Sequence, residues 1–344
     1  MELGLTSFAE TGVDSAGRPL VDHGVRLRNV VDEIRLADEV GLDVYGLGEH
    51  HRPDMAASAP AITLAAAASV TERIRLSSAV IVLSSADPVR TYQDFATLDL
   101  VSNGRAELLV GRGSFIESFP LFGYDLADYE ELFVEKLELL LEIAAHERVT
   151  WSGRLRAPLS DAGVYPRAQQ DPLPIWVGVG GTPESIVRAA RLGLPVALAI
   201  IGGDPARFVP LADLYRRALA QFGRDPADFP LAVHVHGYVA DDGAAIAEEL
   251  YPSYKLMMDR IGRERGWPPL SREQYDAALG PNGHLFVGDP DAVAAKARRA
   301  RDLLGLDRFM IHGIGHVGHE TQLRSIELLG TAVRERLEPA PARS

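Results

Sequence analysis

The stretch that decides the fold is Arg105–Gly123, RAELLVGRGSFIESFPLFG. Residues 108–110 (LLV) form a short apolar run that predicts a fully buried strand. The run passes into residues 111–114 (GRGS), where two glycines let the backbone approach a ligand and one arginine offers a bidentate donor for phosphate or carboxylate. Aromatic side chains follow at Phe115, Phe119 and Phe122. A buried strand that opens into such a loop is typical of a site at the mouth of an α/β barrel.

Composition excludes several classes of protein. The chain has 344 residues, is 47% hydrophobic and carries a net charge of −13, which argues against a nucleic-acid partner. It has no cysteine, so disulfides, thiolate nucleophiles and cysteine-ligated metals are excluded. No secretory signal is visible, and the alanine-rich run at residues 61–70 is too short to span a bilayer. We therefore expect a soluble, cytoplasmic protein without a membrane partner.

Strand-like and helix-like segments alternate along the chain and add up to eight βα units. Residues 74–83 (IRLSSAVIVL) read as one long strand. Two excursions interrupt the rhythm, a hairpin at residues 149–170 after helix 4 and a polar segment at residues 262–284 in the helix 7 region. The pattern predicts an α/β fold, a (β/α)8 TIM barrel forming a single domain over residues 1–337, with a disordered tail at 338–344. A doubly wound open sheet is the alternative.

In a barrel the chemistry belongs at the C-terminal ends of the strands, and these ends carry polar residues here. The second strand delivers Glu49, His50 and His51, the seventh places His234 and His236 on one face, and the eighth ends at His312. The fifth strand leads into residues 180–183 (GGTP), which predict a helix start whose free N–H groups bind phosphate. A helix that is merely well capped is the competing interpretation.

These motifs together resemble the bacterial-luciferase-like family of flavin-dependent oxidoreductases. The matching pieces, in order, are residues 47–51 (LGEHH), 79–83 (AVIVL), 87–90 (DPVR), 102–105 (SNGR), 110–113 (VGRG) and 121–123 (LFG). Residues 287–290 (VGDP) match more loosely in the last third of the chain. The resemblance implies a barrel that binds reduced FMN at the strand ends, usually as a homodimer.

Carried over by position, the resemblance implies a cofactor site and a catalytic residue. Arg112 would contact the FMN phosphate, helped by the helix start, and the bond Ala79–Val80 matches a frequent non-prolyl cis peptide beneath the flavin ring. His50 matches the catalytic histidine, whose ordinary pKa suits proton transfer. The assigned cofactor-binding residues are Glu49, Ala79, Val80, Gly111, Arg112, Gly113, Gly180, Gly181, Thr182 and Ser185. We expect no metal in the site.

The implied reaction is monooxygenation. Reduced FMN, delivered by a separate flavin reductase or reduced in place by NAD(P)H, would react with O2 to a C4a-peroxyflavin that oxidises a small, partly apolar organic substrate. The predicted substrate pocket contains Phe115, Phe119, Phe122, His236 and His312. Gly111 stands where light-emitting members have cysteine, which we interpret as extra room above the flavin and as an argument against light emission.

Three alternatives remain open at this stage. An F420-dependent oxidoreductase has the same fold and similar phosphate contacts. A metal-dependent hydrolase would use the histidines of the barrel mouth as ligands. A protein that binds flavin without turnover would have the same cofactor residues.

Overall fold

We describe a computed structural model, which covers residues 1–14, 16–113 and 115–338. Its strands are β1 (Glu2–Ser7), β2 (Val44–Leu47), β3 (Arg75–Ser78), β4 (Ile81–Val82), β5 (Ala106–Gly111), β6 (Arg148–Trp151), β7 (Leu159–Gly163), β8 (Ile175–Val179), β9 (Val196–Ile200), β10 (Leu231–Val239), β11 (Leu285–Gly288) and β12 (Arg308–His312). Its helices are α1 (His23–Glu39), α2 (Pro60–Ala68), α3 (Pro88–Val101), α4 (Ser118–Phe122), α5 (Tyr129–Ala145), α6 (Pro183–Leu192), α7 (Val209–Gln221), α8 (Gly243–Arg265), α9 (Arg272–Leu279), α10 (Pro290–Leu304), α11 (His319–Leu328) and α12 (Arg334–Leu337).

Parallel strands pair in a closed ring. The ring runs β1, β2, β3 with β4, β5, β8, β9, β10 and β12, and β12 pairs back onto β1. The strands β5, β9 and β10 are mostly apolar and almost entirely buried, as expected when helices cover the outside of a parallel sheet. The predicted (β/α)8 barrel is therefore confirmed, and the open-sheet alternative is wrong.

Local sequence explains where the helices start. Aspartate side chains accept hydrogen bonds from the first free backbone N–H groups of α1, α3, α8 and α10. Proline occupies the first turn of α2, α3, α6 and α10, where its missing N–H leaves no partner unsatisfied. None of the helices in the described part of the chain is long and apolar enough to cross a bilayer.

The prediction of one strand over residues 74–83 is wrong. The segment is divided into β3 and β4 because the ladder is interrupted at the Ala79–Val80 bond, which is cis as the resemblance implied. Glycines on the neighbouring strand leave room for this interruption. A Cβ at Gly46 would lie 2.7 Å from Ala79 Cβ, and one at Gly48 would lie 2.7 Å from the Ala79 carbonyl oxygen.

The two excursions differ in how well the sequence predicted them. The first contains the expected hairpin, in which β6 and β7 pair antiparallel. In the second, α8 continues to Arg265, α9 follows, and β11 pairs with β10 outside the ring. The sequence analysis missed β11, because four residues are too short a run for periodicity to indicate a strand.

A buried ion pair spans the barrel at the N-terminal end of the strands. Arg308 at the start of β12 donates two hydrogen bonds to Glu107 of β5, at 2.6 and 3.0 Å, and one to Glu2 of β1 at 2.6 Å. The Trp176 ring lies 4.4 Å from its guanidinium. This end of the barrel is thus filled by paired charge, and the open cavity lies at the other end.

Two predictions fall on residues that the structure does not describe. The first concerns Ser114 in the glycine–arginine loop, and the second concerns residues 339–344 of the expected disordered tail. The single domain over residues 1–337 stays a prediction.

Candidate active site

A cavity of about 410 Å³ lies at the C-terminal ends of the barrel strands. Every strand position of the ring contributes to its wall or floor. The lining residues are Thr6, Phe8, Glu49, His50, Ala79, Val80, Val82, Leu109, Gly111, Arg112, Gly113, Tyr129, Gly178, Val179, Gly180, Ala197, Ala199, Ile201, His234, His236 and His312.

Most of the predicted site residues meet in this cavity. Those that line it are His50, Glu49, Ala79, Val80, Gly111, Arg112, Gly113, Gly180, His236 and His312. Gly181, Thr182 and Ser185 follow at the start of α6, beside the mouth. The three predicted phenylalanines lie elsewhere and are described below.

The floor is formed by Val80 and by glycines on the strands beside it. A Cβ at Gly111 would lie 2.9 Å from Val80 Cγ2, and one at Gly178 would lie 3.0 Å from Val80 Cγ1. The expectation that Gly111 leaves extra room is therefore wrong, since the side chain of Val80 fills that space. The result is an apolar floor in which Val80 packs directly against two glycines.

His50 is buried at the cavity wall and is held on several sides. Its backbone N–H donates to the Ala57 carbonyl at 3.0 Å, and its Nδ1 lies 3.2 Å from Glu117 Oε1. Its ring stands edge-on to Phe8 and Phe115, at 4.4 and 5.0 Å between centroids. Burial would raise the pKa of Glu117, but the hydrogen bond from His50 and the nearby charges lower it, so this carboxylate is ionised at neutral pH.

Glu49 lines the cavity, and its carboxylate is engaged by neighbouring groups. Its carboxylate accepts from the backbone N–H of Val82 at 2.9 Å and contacts His51 Nε2 at 2.8 Å. Its backbone N–H donates to the Val80 carbonyl at 3.0 Å. The residue thereby ties the end of β2 to the segment that forms the floor.

The anion end of the cavity is centred on Arg112. Its Nη2 donates to Thr182 Oγ1 at 3.3 Å, and its guanidinium lies 5.5 Å from the Tyr129 ring centroid. Thr182 stands at the N-cap of α6 as predicted, but its hydroxyl does not cap the helix and receives Arg112 instead. A Cβ at Gly180 would meet no atom of the described residues within 4 Å, so the backbone here is not crowded by them.

Comparisons with known proteins identify the family of the chain. The model of a family described as luciferase-like monooxygenase matches residues 1–308. The chain belongs to the luciferase-like monooxygenase family. Its relatives include monooxygenases and F420-dependent dehydrogenases.

Three relatives of this luciferase-like chain illustrate the range. The N-acetyl-S-alkylcysteine monooxygenase of Bacillus subtilis (strain 168) is 31% identical over 319 residues, 89% of this chain and 92% of that protein. The F420-dependent glucose-6-phosphate dehydrogenase of Kineococcus radiotolerans is 33% identical over 273 residues, 76% of each. The crystal structure of monooxygenase RslO1 from Streptomyces bottropensis is similar with a TM-score of 0.83 and 25% identity, covering 98% of this chain and 100% of that one.

His312 lines the same cavity and belongs to a buried network of polar side chains. Its Nε2 lies 2.7 Å from Glu10 Oε1, and its Nδ1 lies 3.0 Å from Thr6 Oγ1. Burial would raise the pKa of Glu10, but His312 and Arg26 lower it, so the carboxylate is ionised at neutral pH. The sequence analysis missed Glu10 and Thr6, although their position at the end of the first strand was an available signal.

The histidines of β10 are neutral at physiological pH. Burial, with His312 and Arg308 nearby, lowers the pKa of His234 to about 3, and burial and His312 lower the pKa of His236 well below its usual value. The described residues include no group of three or more histidine, aspartate or glutamate side chains arranged to hold a metal ion. His50, His234, His236 and His312 thus line one cavity, but the described residues do not place them as the metal ligands that a hydrolase would need.

The predicted phenylalanines take different positions in this luciferase-like site. Phe115 contacts His50 and lies beneath the guanidinium of Arg52, at 4.6 Å. Phe119 is fully buried and stacks on Tyr129 at 5.4 Å, so its assignment to the substrate pocket is corrected: it supports the loop. Phe122 is half exposed and lines a separate groove between α2 and α3, which corrects its assignment as well.

Proposed function

We propose that this chain is an FMN-dependent monooxygenase that oxidises a small, partly apolar organic substrate with O2. The observation that carries the proposal is the pairing of an apolar floor, Val80 between Gly111 and Gly178, with a guanidinium at the cavity mouth. A planar aromatic ring with a phosphate tail has these two requirements, an apolar plane and an anion site at its end. The residues present therefore fit FMN.

Each part of the site has a distinct task. Arg112, Thr182 and the backbone at Gly180 and Gly181 would bind the phosphate, and the floor at Val80 would orient the ring. When bound, reduced FMN supplies two electrons, so that one oxygen atom of O2 enters the substrate and the other leaves as water.

The protein residues handle the proton and exclude water. His50 would hold or transfer a proton at its Nε2, because its Nδ1 is engaged by the ionised carboxylate of Glu117. Phe8 and Phe115 pack on either side of this imidazole and keep bulk water from it. We propose a separate flavin reductase as the source of reduced FMN.

Cofactor titration tests the proposal. The purified protein is titrated with oxidised FMN, anaerobically reduced FMN and F420, and flavin absorbance and fluorescence are followed. We expect saturable FMN binding, tighter for the reduced form, and about tenfold or greater weakening in Arg112→Ala, because a charge-assisted phosphate contact is lost. Arg35→Ala is the control, since Arg35 is exposed on α1 and pairs with Glu39 within its own helix.

The second candidate is an F420-dependent dehydrogenase, which the Kineococcus relative favours. Saturable binding of F420 with none of FMN would support that candidate and contradict ours. Unchanged FMN affinity in Arg112→Ala would remove Arg112 from the phosphate site.

A further inference from the structure

A carboxylate lies between two guanidinium groups at the cavity mouth. Glu130, in the first turn of α5, accepts a hydrogen bond from Arg112 Nη1 on one carboxylate oxygen and from Arg188 Nη2 on the other. Arg112 comes from the end of β5 and Arg188 from the second turn of α6. Three separate elements thus converge on one oxyanion.

Both arginines are held in place by groups other than Glu130. Arg112 donates to Thr182 and lies over the Tyr129 ring, while the Arg188 guanidinium lies 5.9 Å from the Phe133 ring centroid. The side chain of Arg188 is only 16% exposed, and its Nη1 has no hydrogen-bond partner among the described residues. Contacts with Thr182, Tyr129 and Phe133 therefore help to hold the two guanidinium groups in place.

Charge is incompletely balanced at this point. Two guanidinium groups carry two positive charges, whereas Glu130 supplies a single negative one. A phosphate monoester carries nearly two negative charges at neutral pH and three acceptor oxygens, which matches two arginines and one hydroxyl better than a carboxylate does.

We propose that Glu130 occupies the place of the cofactor phosphate between Arg112 and Arg188, and that the phosphate displaces it on binding. Arg188 then becomes the second guanidinium ligand of the phosphate. This inference rests on the proposed function, because it takes the FMN phosphate to bind at Arg112.

Under this proposal, the ionised Glu130 carboxylate competes with the cofactor phosphate for Arg112 and Arg188 at neutral pH. Burial would raise the pKa of Glu130, but hydrogen bonds from Arg188 and Arg112 lower it, so the carboxylate is ionised at neutral pH. The negative charge of Glu130 repels an incoming phosphate, whereas the positive charge of Arg188 attracts the phosphate. The two residues therefore have opposite effects on the affinity for phosphate and none on that for the ring.

Parallel titrations with oxidised FMN and riboflavin separate the phosphate contribution from that of the ring. Glu130→Gln should bind FMN about fivefold more tightly, and Arg188→Gln about tenfold more weakly, while riboflavin affinity stays the same in both. Arg188→Lys should fall between wild type and Arg188→Gln, because the charge remains without the planar donor pair. Glu142→Gln, an exposed glutamate on the same helix, is the control.

Different results of these titrations would overturn this inference and the proposed function. Unchanged or weaker FMN binding in Glu130→Gln, or unchanged binding in Arg188→Gln, with Arg112→Ala still weakened, overturns this inference alone. Equal affinity of the wild type for FMN and riboflavin, with no effect of Arg112→Ala, overturns the phosphate position itself. Thermal melting of each variant confirms that the compared proteins are folded.

Discussion

Val80 and the glycine opposite it set the shape of the cavity floor at the residue scale. Gly111→Ala would push a methyl group to within 2.9 Å of Val80 Cγ2, and a β-branched side chain in a packed floor has no easy rotamer to move to. We expect a loss of about 1–3 kcal/mol in the free energy of unfolding, measured by chemical denaturation.

Gly180→Ala is the matched control for that change. A methyl group there meets no atom within 4 Å among the described residues, so the free energy of unfolding should stay within about 0.5 kcal/mol of wild type. Equal losses in the two variants would show that the contact with Val80 is not what makes glycine necessary at position 111.

Glu33 is a buried carboxylate whose charge couples stability to pH. It accepts from Arg26 Nη1 at 2.6 Å and from the Tyr45 hydroxyl at 3.0 Å. Burial would raise its pKa, but the charge of Arg26 and these hydrogen bonds lower it below the usual value. The lowered pKa means that the pair stabilises the fold above about pH 4.5 and that this contribution is lost as the pH falls through the folded-state pKa.

Glu33→Gln should therefore cost about 3 kcal/mol in the free energy of unfolding at pH 7, because the buried Arg26 loses its hydrogen-bonded carboxylate and keeps the smaller interaction with Glu10. The difference from wild type should shrink as the pH falls from about 4.5, the ordinary pKa of a glutamate, towards the lowered pKa of Glu33 in the folded protein. Urea denaturation at several pH values measures both. A constant difference down to pH 3 would contradict the role of the ionised carboxylate.

At the scale of elements, Asp38 fixes the connection between α2 and β3. From α1 it accepts hydrogen bonds from the backbone N–H groups of Glu72, Arg73 and Ile74, at 3.0, 2.9 and 2.7 Å. Burial would raise the pKa of Asp38, but these three donors lower it. One carboxylate thus accepts hydrogen bonds from three consecutive backbone N–H groups of the loop that leads into β3.

Asp38→Asn should lower the free energy of unfolding by about 2 kcal/mol, because the amide nitrogen turns a donor toward one of these N–H groups. Thermal or chemical denaturation measures the loss. Asp32→Asn, at an exposed position on the same helix, should have almost no effect. Similar values for the two variants would mean that the loop finds other partners.

At the scale of the whole molecule, the groove between α2 and α3 is the candidate dimer surface. Ile62 is 74% exposed and Val101 is 56% exposed, and the groove between the helices is open and largely apolar. The resemblance to the family led us to expect a homodimer, and contiguous exposed apolar surface is typical of an interface.

Light scattering on the purified protein should give the mass of a dimer. Ile62→Glu should shift the mass to that of a monomer, because an interface would bury an unpaired charge. Leu303→Glu, at a partly exposed apolar position on α10, should leave the mass unchanged. A monomeric wild type would contradict the homodimer.

Much of the fold followed from local patterns. Apolar runs and the alternation of strand-like and helix-like segments predicted the barrel, because each of these signals acts over a few neighbouring residues. The division between β3 and β4 and the added strand β11 did not follow, since both depend on what a neighbouring strand provides. Room at Gly46 and Gly48 and the length of β10 become visible only after the ring has closed.

The sequence by itself determined the barrel and the residues at its strand ends, including His50, Arg112 and His312. Only the tertiary structure decided their partners: Glu117 for His50, Glu10 for His312, and Glu130 with Arg188 for Arg112. Glu117 and His50 are 67 residues apart along the chain, and Glu10 and His312 are 302 apart. Hydrophobic periodicity and turn chemistry act between neighbours in sequence, whereas charge pairing depends on distance in space, which is set when the ring closes.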